Sequence, residues 1–188
     1  MIRIALIGDV GSGKSYISKL FGYPVFNADK EVSNIYKKDK KCFFKLKKKI
    51  PNYFLSFPIK KKELVSAILN NKKNLKLITK IVHPLIRKKL KSFTIINKFK
   101  KIIILDIPLY LENELNKKND IIVFVDSKKK DISKRLVNRK GYNKTLIKIF
   151  KKIQFPLEKK KIRSNFIIKN NFTKKNAQNY VKYILNNI

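Results

Sequence analysis

A glycine-rich run between an apolar stretch and a helical pattern carries the clearest chemistry in this sequence. Residues 8–15, Gly-Asp-Val-Gly-Ser-Gly-Lys-Ser, fit the pattern G-x-x-x-x-G-K-[ST]. Glycines such as Gly11 and Gly13 let a backbone curl until successive N–H groups point at phosphate oxygens, and the following helix adds the positive end of its dipole. Lys14 brings a flexible positive charge to the β- and γ-phosphates, while the Ser15 hydroxyl suits Mg²⁺. The run therefore predicts a site for ATP-like nucleotides with Mg²⁺.

Ser12 and Tyr16 complete the predicted nucleotide contacts. Ser12 lies inside the run, and Tyr16 stands where many such loops carry a small hydroxyl residue near the α-phosphate. A tight turn could match the pattern by chance. However, three of the five glycines of the chain lie in this run, which sits between a predicted strand and a predicted helix, as the motif requires. The phosphate site is therefore the stronger interpretation.

Two carboxylates follow predicted strands, at the edge where functional groups gather in a parallel α/β sheet. Asp29 comes two residues after the second predicted strand. It could accept a proton from a hydroxyl that attacks the γ-phosphate, or it could cap the next helix. Asp106 ends a strongly apolar run, where a carboxylate can hold Mg²⁺ together with the loop serine or can be a simple turn residue. The pattern favours a magnesium ligand at Asp106 and leaves both roles open for Asp29.

Basic residues of a predicted helix form a third group of candidates. Arg135 and Arg139 are one helical turn apart, so they point the same way and could close over a transferring phosphoryl group as a basic lid.

His83 is the only histidine, and the chain has one cysteine, Cys42. These numbers argue against a metal site built from His and Cys, and against a disulfide framework.

The elements that must position these residues alternate between strand and helix patterns. Strands are predicted at residues 2–7, 23–27, 102–107, 120–125 and 166–168, and helices at 14–21, 29–49, 60–70, 75–93, 128–138, 143–153 and 173–185. This alternation predicts an α/β fold with a mostly parallel sheet of about five strands flanked by helices. We expect a single domain over 1–188, with an inserted helical cap at roughly 30–95 and a lid at roughly 128–153.

The composition is dominated by positive charge. The chain has 47 Lys+Arg and 12 Asp+Glu, which gives a formal net charge of +35, and 44% of its residues are hydrophobic. A nucleic-acid partner is one interpretation of this charge. Because the basic residues are mostly dispersed lysines, accompanied by abundant Ile and Asn, drift in base composition explains them without a specific partner. No apolar run reaches the length of a membrane span, so we expect a cytoplasmic protein without a membrane partner.

Several motifs in order resemble those of dephospho-coenzyme A kinases. Residues 5–15 are similar to the family's first loop, and Phe26-Asn27-Ala28-Asp29 resembles its Asp-x-Asp element. His83-Pro84-Leu85-Ile86-Arg87 is similar to its His-Pro element, and residues 105–112 to its Asp-x-Pro-Leu-Leu-x-Glu strand end. Arg135–Arg139, Gln154 and residues 165–170 follow in the family's order. The chain departs from the pattern at Asp9, where the family has a second glycine, and at Asn27, where it has the first Asp.

The resemblance implies a P-loop kinase that phosphorylates the ribose 3′-hydroxyl of dephospho-coenzyme A with ATP and Mg²⁺, the last step of coenzyme A synthesis. It implies that Asp29 is the base and that Arg139, with Arg135 on the nucleotide side, stabilises the transferring phosphate. His83, Arg87 and Pro108 would shape the acceptor side. It indicates no obligate protein partner.

Two alternatives remain at this point. One is another kinase on the same fold that acts on nucleoside or nucleotide monophosphates, against which the His-Pro and Asp-x-Pro elements argue. The other is a basic nucleic-acid-binding protein, whose main support is the net charge.

Overall fold

Five parallel strands form one sheet in the computed structural model, which describes residues 1–138 and 141–188. The strands are β1 (Ile2–Gly8), β2 (Val25–Asn27), β3 (Ile102–Asp106), β4 (Ile121–Asp126) and β5 (Phe166–Lys169). Their order across the sheet is β2-β3-β1-β4-β5, and each neighbouring pair is parallel. The α/β class and the parallel five-stranded sheet predicted from the sequence are confirmed.

Apolar residues cover both faces of this sheet, as parallel sheets require. Because side chains alternate along a strand, Ile4, Leu6, Ile104 and Val123 fall on one face, where they form a core with residues of the first and last helices. Ala5, Ile7 and Leu105 alternate with them and are also buried. The sheet is therefore the centre of the core, and the loops at its edge are anchored to buried strands.

The helices, in chain order, are α1 (Lys14–Leu20), α2 (Ala28–Lys38), α3 (Lys40–Lys49), α4 (Lys61–Asn70), α5 (Lys72–Ile96), α6 (Lys129–Val137), α7 (Lys144–Lys152), α8 (Leu157–Ile162) and α9 (Lys174–Asn186). α1 and α9 contribute Ile17, Val181 and Ile184 to the core of the sheet. Among the described residues, no helix combines the length and the apolar character that crossing a bilayer demands.

The chain divides into two units. The first, which holds the sheet, comprises Met1–Asn27 and Asn97–Ile188; the second is the helical unit Ala28–Ile96. In the helical unit α5 contacts α2, α3 and α4. Its buried apolar residues Leu75, Ile78, Val82, Ile86 and Leu90 recur every three or four positions, which is the spacing of one helix face.

Two details differ from the sequence-based expectation. The helix predicted over residues 29–49 is two helices, because Asp39 adopts an extended backbone and its side chain accepts a hydrogen bond from the Cys42 N–H at 2.8 Å, which caps α3. α8 was not predicted at all. It is a short, lysine-rich helix whose fully buried residue is Lys160. Because this buried residue is charged, the sequence does not show apolar residues at helical spacing.

Candidate active site

The predicted phosphate loop connects β1 to α1, and its backbone has the conformation that its glycines permit. Gly13 has φ +96°, and a Cβ there would lie 2.7 Å from Asn170 Nδ2. Gly8 has φ +144°, and a Cβ would lie 2.6 Å from the Val125 carbonyl oxygen. Both positions therefore exclude any side chain, which keeps the loop tight against the ends of the strands.

Two polar side chains that follow neighbouring strands donate hydrogen bonds to the backbone of the loop. The Ser12 carbonyl accepts hydrogen bonds from Ser127 Oγ at 3.0 Å and from Asn170 Nδ2 at 2.8 Å. Ser127 directly follows β4, and Asn170 directly follows β5. Ser12 is fully buried, and its Oγ has no hydrogen-bond partner among the described residues. The loop is thus fixed by the strands on one side of β1.

Lys14 folds back over the loop. Its Nζ donates to the carbonyl oxygens of Asp9 at 2.7 Å and Gly8 at 3.2 Å, and the residue is buried. Ser15 and Tyr16, in the first turn of α1, are exposed. Gly11 lies against Leu136 of α6. A buried ammonium group and exposed hydroxyl groups at a helix start are the kinds of group that phosphate sites with a metal ion use.

Asn27 and Asp106 meet where β2 and β3 end. They are register partners, and Asn27 Nδ2 donates to Asp106 Oδ2 at 2.5 Å. Asp106 is buried and is also level with Leu6 of β1, the strand that feeds the loop. The Asn27 amide therefore orients a carboxylate at the loop edge of the sheet.

Ser15 and Asp106 were predicted to hold Mg²⁺, and their chemistry fits this ion. A hydroxyl and a carboxylate are hard oxygen donors. The described residues contain no cluster of three or more His, Cys, Asp or Glu side chains that could hold a metal alone. Mg²⁺ commonly keeps several waters and binds through one or two protein oxygens plus substrate phosphates, so a sparse donor set suits it.

An ion pair that the sequence did not predict joins the loop to α7. Lys151 Nζ lies 2.8 Å from Asp9 Oδ2, and Asp9 Oδ1 accepts the Val10 N–H at 2.6 Å. The two residues are 142 positions apart, and Lys151 belongs to a lysine-rich helix. No local pattern distinguishes it from its neighbours, so only the fold reveals the contact.

Arg135 stacks on an aromatic ring beside the loop. Its guanidinium carbon lies 4.4 Å from the centre of the Phe172 ring, and a Cβ on Gly13 would lie 3.4 Å from the same ring. Phe172 has φ +64°, and its N–H donates to Asn170 Oδ1 at 3.0 Å. The geometry places Arg135 next to the loop. Arg139 lies outside the described residues.

Pro108 begins a segment that a buried ion pair fixes. Lys160 Nζ lies 2.8 Å from Glu112 Oε1 and donates to Gln154 Oε1 at 3.0 Å. Glu112 also accepts the Phe155 N–H at 2.9 Å. The segment after β3 is thereby tied to the turn between α7 and α8. Pro108 itself is half-buried.

The remaining predicted residues belong to the helical unit. Asp29 is exposed in the first turn of α2. His83 is half-buried in α5, and Arg87 is exposed one turn later. Burial, with a smaller contribution from the Arg87 charge, lowers the pKa of His83. The imidazole is therefore neutral at physiological pH.

The model of the dephospho-CoA kinase family matches residues 2–176 of this chain. The chain belongs to that family. Among its curated relatives, dephospho-CoA kinases from Bartonella henselae and from Wolbachia pipientis wMel are 28% and 30% identical to it over 190 residues. Each alignment covers 98% of this chain and 97% of the relative.

Solved structures share the fold of this dephospho-CoA kinase family member. TT1252 from Thermus thermophilus superposes with a TM-score of 0.78 at 22% identity, covering 100% of this chain and 97% of that one. A dephospho-CoA kinase from Campylobacter jejuni superposes with a TM-score of 0.65 at 22% identity, covering 98% and 96%. The predicted family and P-loop kinase fold are confirmed.

Proposed function

We propose that this chain transfers the γ-phosphate of ATP to the ribose 3′-hydroxyl of dephospho-coenzyme A. The observation that carries the proposal is family membership over residues 2–176. The ammonium group of Lys14 and the start of α1, both at the loop, support it, because phosphates bind to such groups. The loop accounts for the phosphate donor, and the family accounts for the acceptor.

The nucleotide is proposed to bind at residues 11–16. Backbone N–H groups of Gly11 and Gly13 face its phosphates, and the Ser12 N–H joins them when it releases the Asp9 carbonyl oxygen that it bonds at 3.2 Å. Lys14 exchanges the carbonyl oxygens it now bonds for phosphate oxygens. Tyr16 lies near the α-phosphate. Ser15 and Asp106 would hold Mg²⁺, which neutralises charge on the β- and γ-phosphates when it is bound.

The acceptor is proposed to bind through residues of the helical unit. Asp29 acts as the base that takes the proton of the 3′-hydroxyl, and His83 and Arg87 bind the acceptor. Pro108, which follows β3 in the other unit, is proposed as an acceptor contact of its own. Asn27 supports the choice of Asp29, because an amide that donates to Asp106 is no base. Arg139 and Arg135 stabilise the transferring phosphate.

Release of ADP tests this proposal directly. The purified chain is incubated with ATP, Mg²⁺ and dephospho-coenzyme A, beside AMP, CMP and dTMP as other acceptors. We expect selective turnover with dephospho-coenzyme A, and phosphorus NMR should show a new 3′-phosphate monoester. Selective turnover with a monophosphate would instead identify a nucleotide kinase on the same fold.

Lys14→Ala tests the loop in the same assay. Loss of a group that stabilises transition-state charge costs about 3–4 kcal/mol, so we expect kcat to fall roughly 10²- to 10³-fold. Lys19→Ala, on the exposed side of the same helix, serves as the matched control with unchanged turnover. Near-normal turnover of Lys14→Ala would contradict the assigned role of the loop.

A further inference from the structure

The ion pair between Asp9 and Lys151 brings a second lysine to the phosphate loop. The Asp9 carboxylate uses both oxygens, one for the Val10 N–H at 2.6 Å and one for Lys151 Nζ at 2.8 Å. The backbone oxygen of the same residue accepts from Lys14 Nζ at 2.7 Å. Two ammonium groups are therefore held within hydrogen-bonding distance of one loop residue.

This pair has the geometry of a positioning contact. The Asp9 side chain is 11% exposed and cannot move freely, whereas the Lys151 side chain is 44% exposed and reaches it from α7. Partly exposed ion pairs contribute little to stability, because solvent screens them and the long side chain loses entropy. The evident consequence of the pair is that a flexible cation is kept in one place beside the loop.

The negative charge of Asp9 explains why a cation is needed beside the loop. A lone carboxylate in a loop that binds a polyphosphate would repel it. Lys151 offsets that charge, and its ammonium group has three N–H donors, so it can bond Asp9 and a phosphate oxygen together. A lysine side chain that is 44% exposed at this position can reach a nucleotide whose phosphates enter the loop.

We propose that Lys151 contacts the terminal phosphates of the bound nucleotide and that Asp9 is the residue that positions it. The inference rests on the proposed function only in requiring a nucleoside triphosphate in the loop. A residue of α7 thereby shares the phosphates with Lys14.

Nucleotide affinities measured without acceptor test the contact. ATP, ADP and AMP are titrated by calorimetry into the wild type, Lys151→Met, Lys151→Arg and Lys152→Met, the last being a neighbouring exposed lysine on the same helix. We expect Lys151→Met to weaken ATP binding about 10- to 100-fold, the usual worth of a hydrogen bond between charged groups. AMP binding should not change, Lys151→Arg should recover most of the loss, and Lys152→Met should match the wild type.

Asp9→Asn tests the positioning role, because it keeps an acceptor for the Val10 N–H and replaces the charged oxygen that accepts from Lys151 with an amide NH₂ donor. We expect it to weaken ATP binding and to shrink the effect of Lys151→Met when the two are combined. Tighter ATP binding by Asp9→Asn, with Lys151→Met then harmless, would show that Lys151 only neutralises Asp9 and would overturn the inference. Unchanged ATP affinity of Lys151→Met would also overturn it while leaving the proposed function intact. A wild type that binds no ATP would overturn both.

Discussion

Asn27 donates its side-chain amide to the buried carboxylate of Asp106 at 2.5 Å. A second carboxylate at this position would face the first at the same distance, and two carboxylates cannot both ionise so close together. The Asn27 amide instead donates a hydrogen bond to Asp106, where a second carboxylate could only repel it. The pair explains how the chain tolerates an Asn where the family pattern has Asp.

Asn27→Asp should destabilise the protein at pH values above the pKa of an ordinary carboxyl group. We expect Tm to fall by several degrees at pH 8, by less at pH 5, where one carboxyl can hold a proton, and to recover partly with Mg²⁺. Asn34→Asp is the matched control, because Asn34 also donates to a carboxylate at 3.3 Å, that of Glu31, whose side chain is 25% exposed. Equal Tm losses for both variants, independent of pH, would contradict a buried charge conflict.

His83 should make stability depend on pH near neutrality. Its folded-state pKa is lowered, first by burial and then by the Arg87 charge, below the ordinary value of 6.5. The folded state therefore binds the proton less readily than the unfolded state. The contribution of neutral His83 to the stability of the protein is fully present above about pH 6.5. It is lost as the pH falls through the pKa of His83 in the folded state.

Urea unfolding between pH 5.5 and 7.5 measures this loss. His83 is the only histidine of the chain, so no other side chain of ordinary pKa titrates in that window. His83→Gln should flatten the dependence of the unfolding free energy on pH. A slope that persists unchanged in His83→Gln would assign it to other groups.

At the residue scale the sequence predicted candidate site residues but not their partners. Lys14, Ser15 and Asp106 follow from a motif and from a strand end. Lys151 could not be predicted, because it is one of many lysines and contacts Asp9 only through the packing of α7. The roles assigned to Lys14, Ser15 and Asp106, like those of the other predicted site residues, stay predictions.

The backbone of the phosphate loop leaves no room for a side chain at Gly13. Gly13→Ala adds a methyl group at φ +96° that would lie 2.7 Å from Asn170 Nδ2, the amide that holds the Ser12 carbonyl. We expect a stability loss of about 1–3 kcal/mol and loss of measurable ATP binding.

Gly22→Ala is the matched control for this change. Gly22 also has positive φ, +73°, but a Cβ there meets no atom within 4 Å. It should show only the backbone strain, a loss of about 1 kcal/mol, and it should bind ATP like the wild type. Calorimetry and thermal unfolding of both variants measure the two effects. Intact ATP binding by Gly13→Ala would mean that the loop can shift away from Asn170.

Elements with an apolar period were predicted well, and elements ordered by polar contacts were not. The strands and α5 could be predicted because their buried residues form continuous apolar runs or recur with helical spacing. The break at Asp39 and the short helix α8 depend on a side-chain cap and on the buried Lys160–Glu112 pair. A polar residue looks the same in a sequence whether it is solvated or paired, so these features need the structure.

The net charge of +35 acts on the whole molecule. Like charges repel more strongly in a compact state than in an extended chain, and salt screens them over shorter distances as its concentration rises. We therefore expect the urea midpoint of unfolding to rise between 10 mM and 500 mM NaCl. KCl at the same ionic strength should give the same rise, since screening does not depend on which ion carries it.

A midpoint that stays constant or falls over this range would show that self-repulsion is not a significant cost for this fold. The charge carries no further assignment in the structure. That the chain has no specific nucleic-acid partner stays a prediction.

Because of the sheet order, β1 is synthesised long before the strands with which it pairs. β1 bonds only to strands far along the chain: Ile2 is level with Ile102, and Ile4 with Ile121. At about 5–20 residues per second, a ribosome needs roughly 5–20 s to make the chain from the end of β1 to the end of β3, its first partner strand. For that time the apolar residues of β1 have no sheet to join. A nascent chain of this kind is a natural client for chaperones that shield exposed strands, and slow translation of the helical unit would lengthen its exposure.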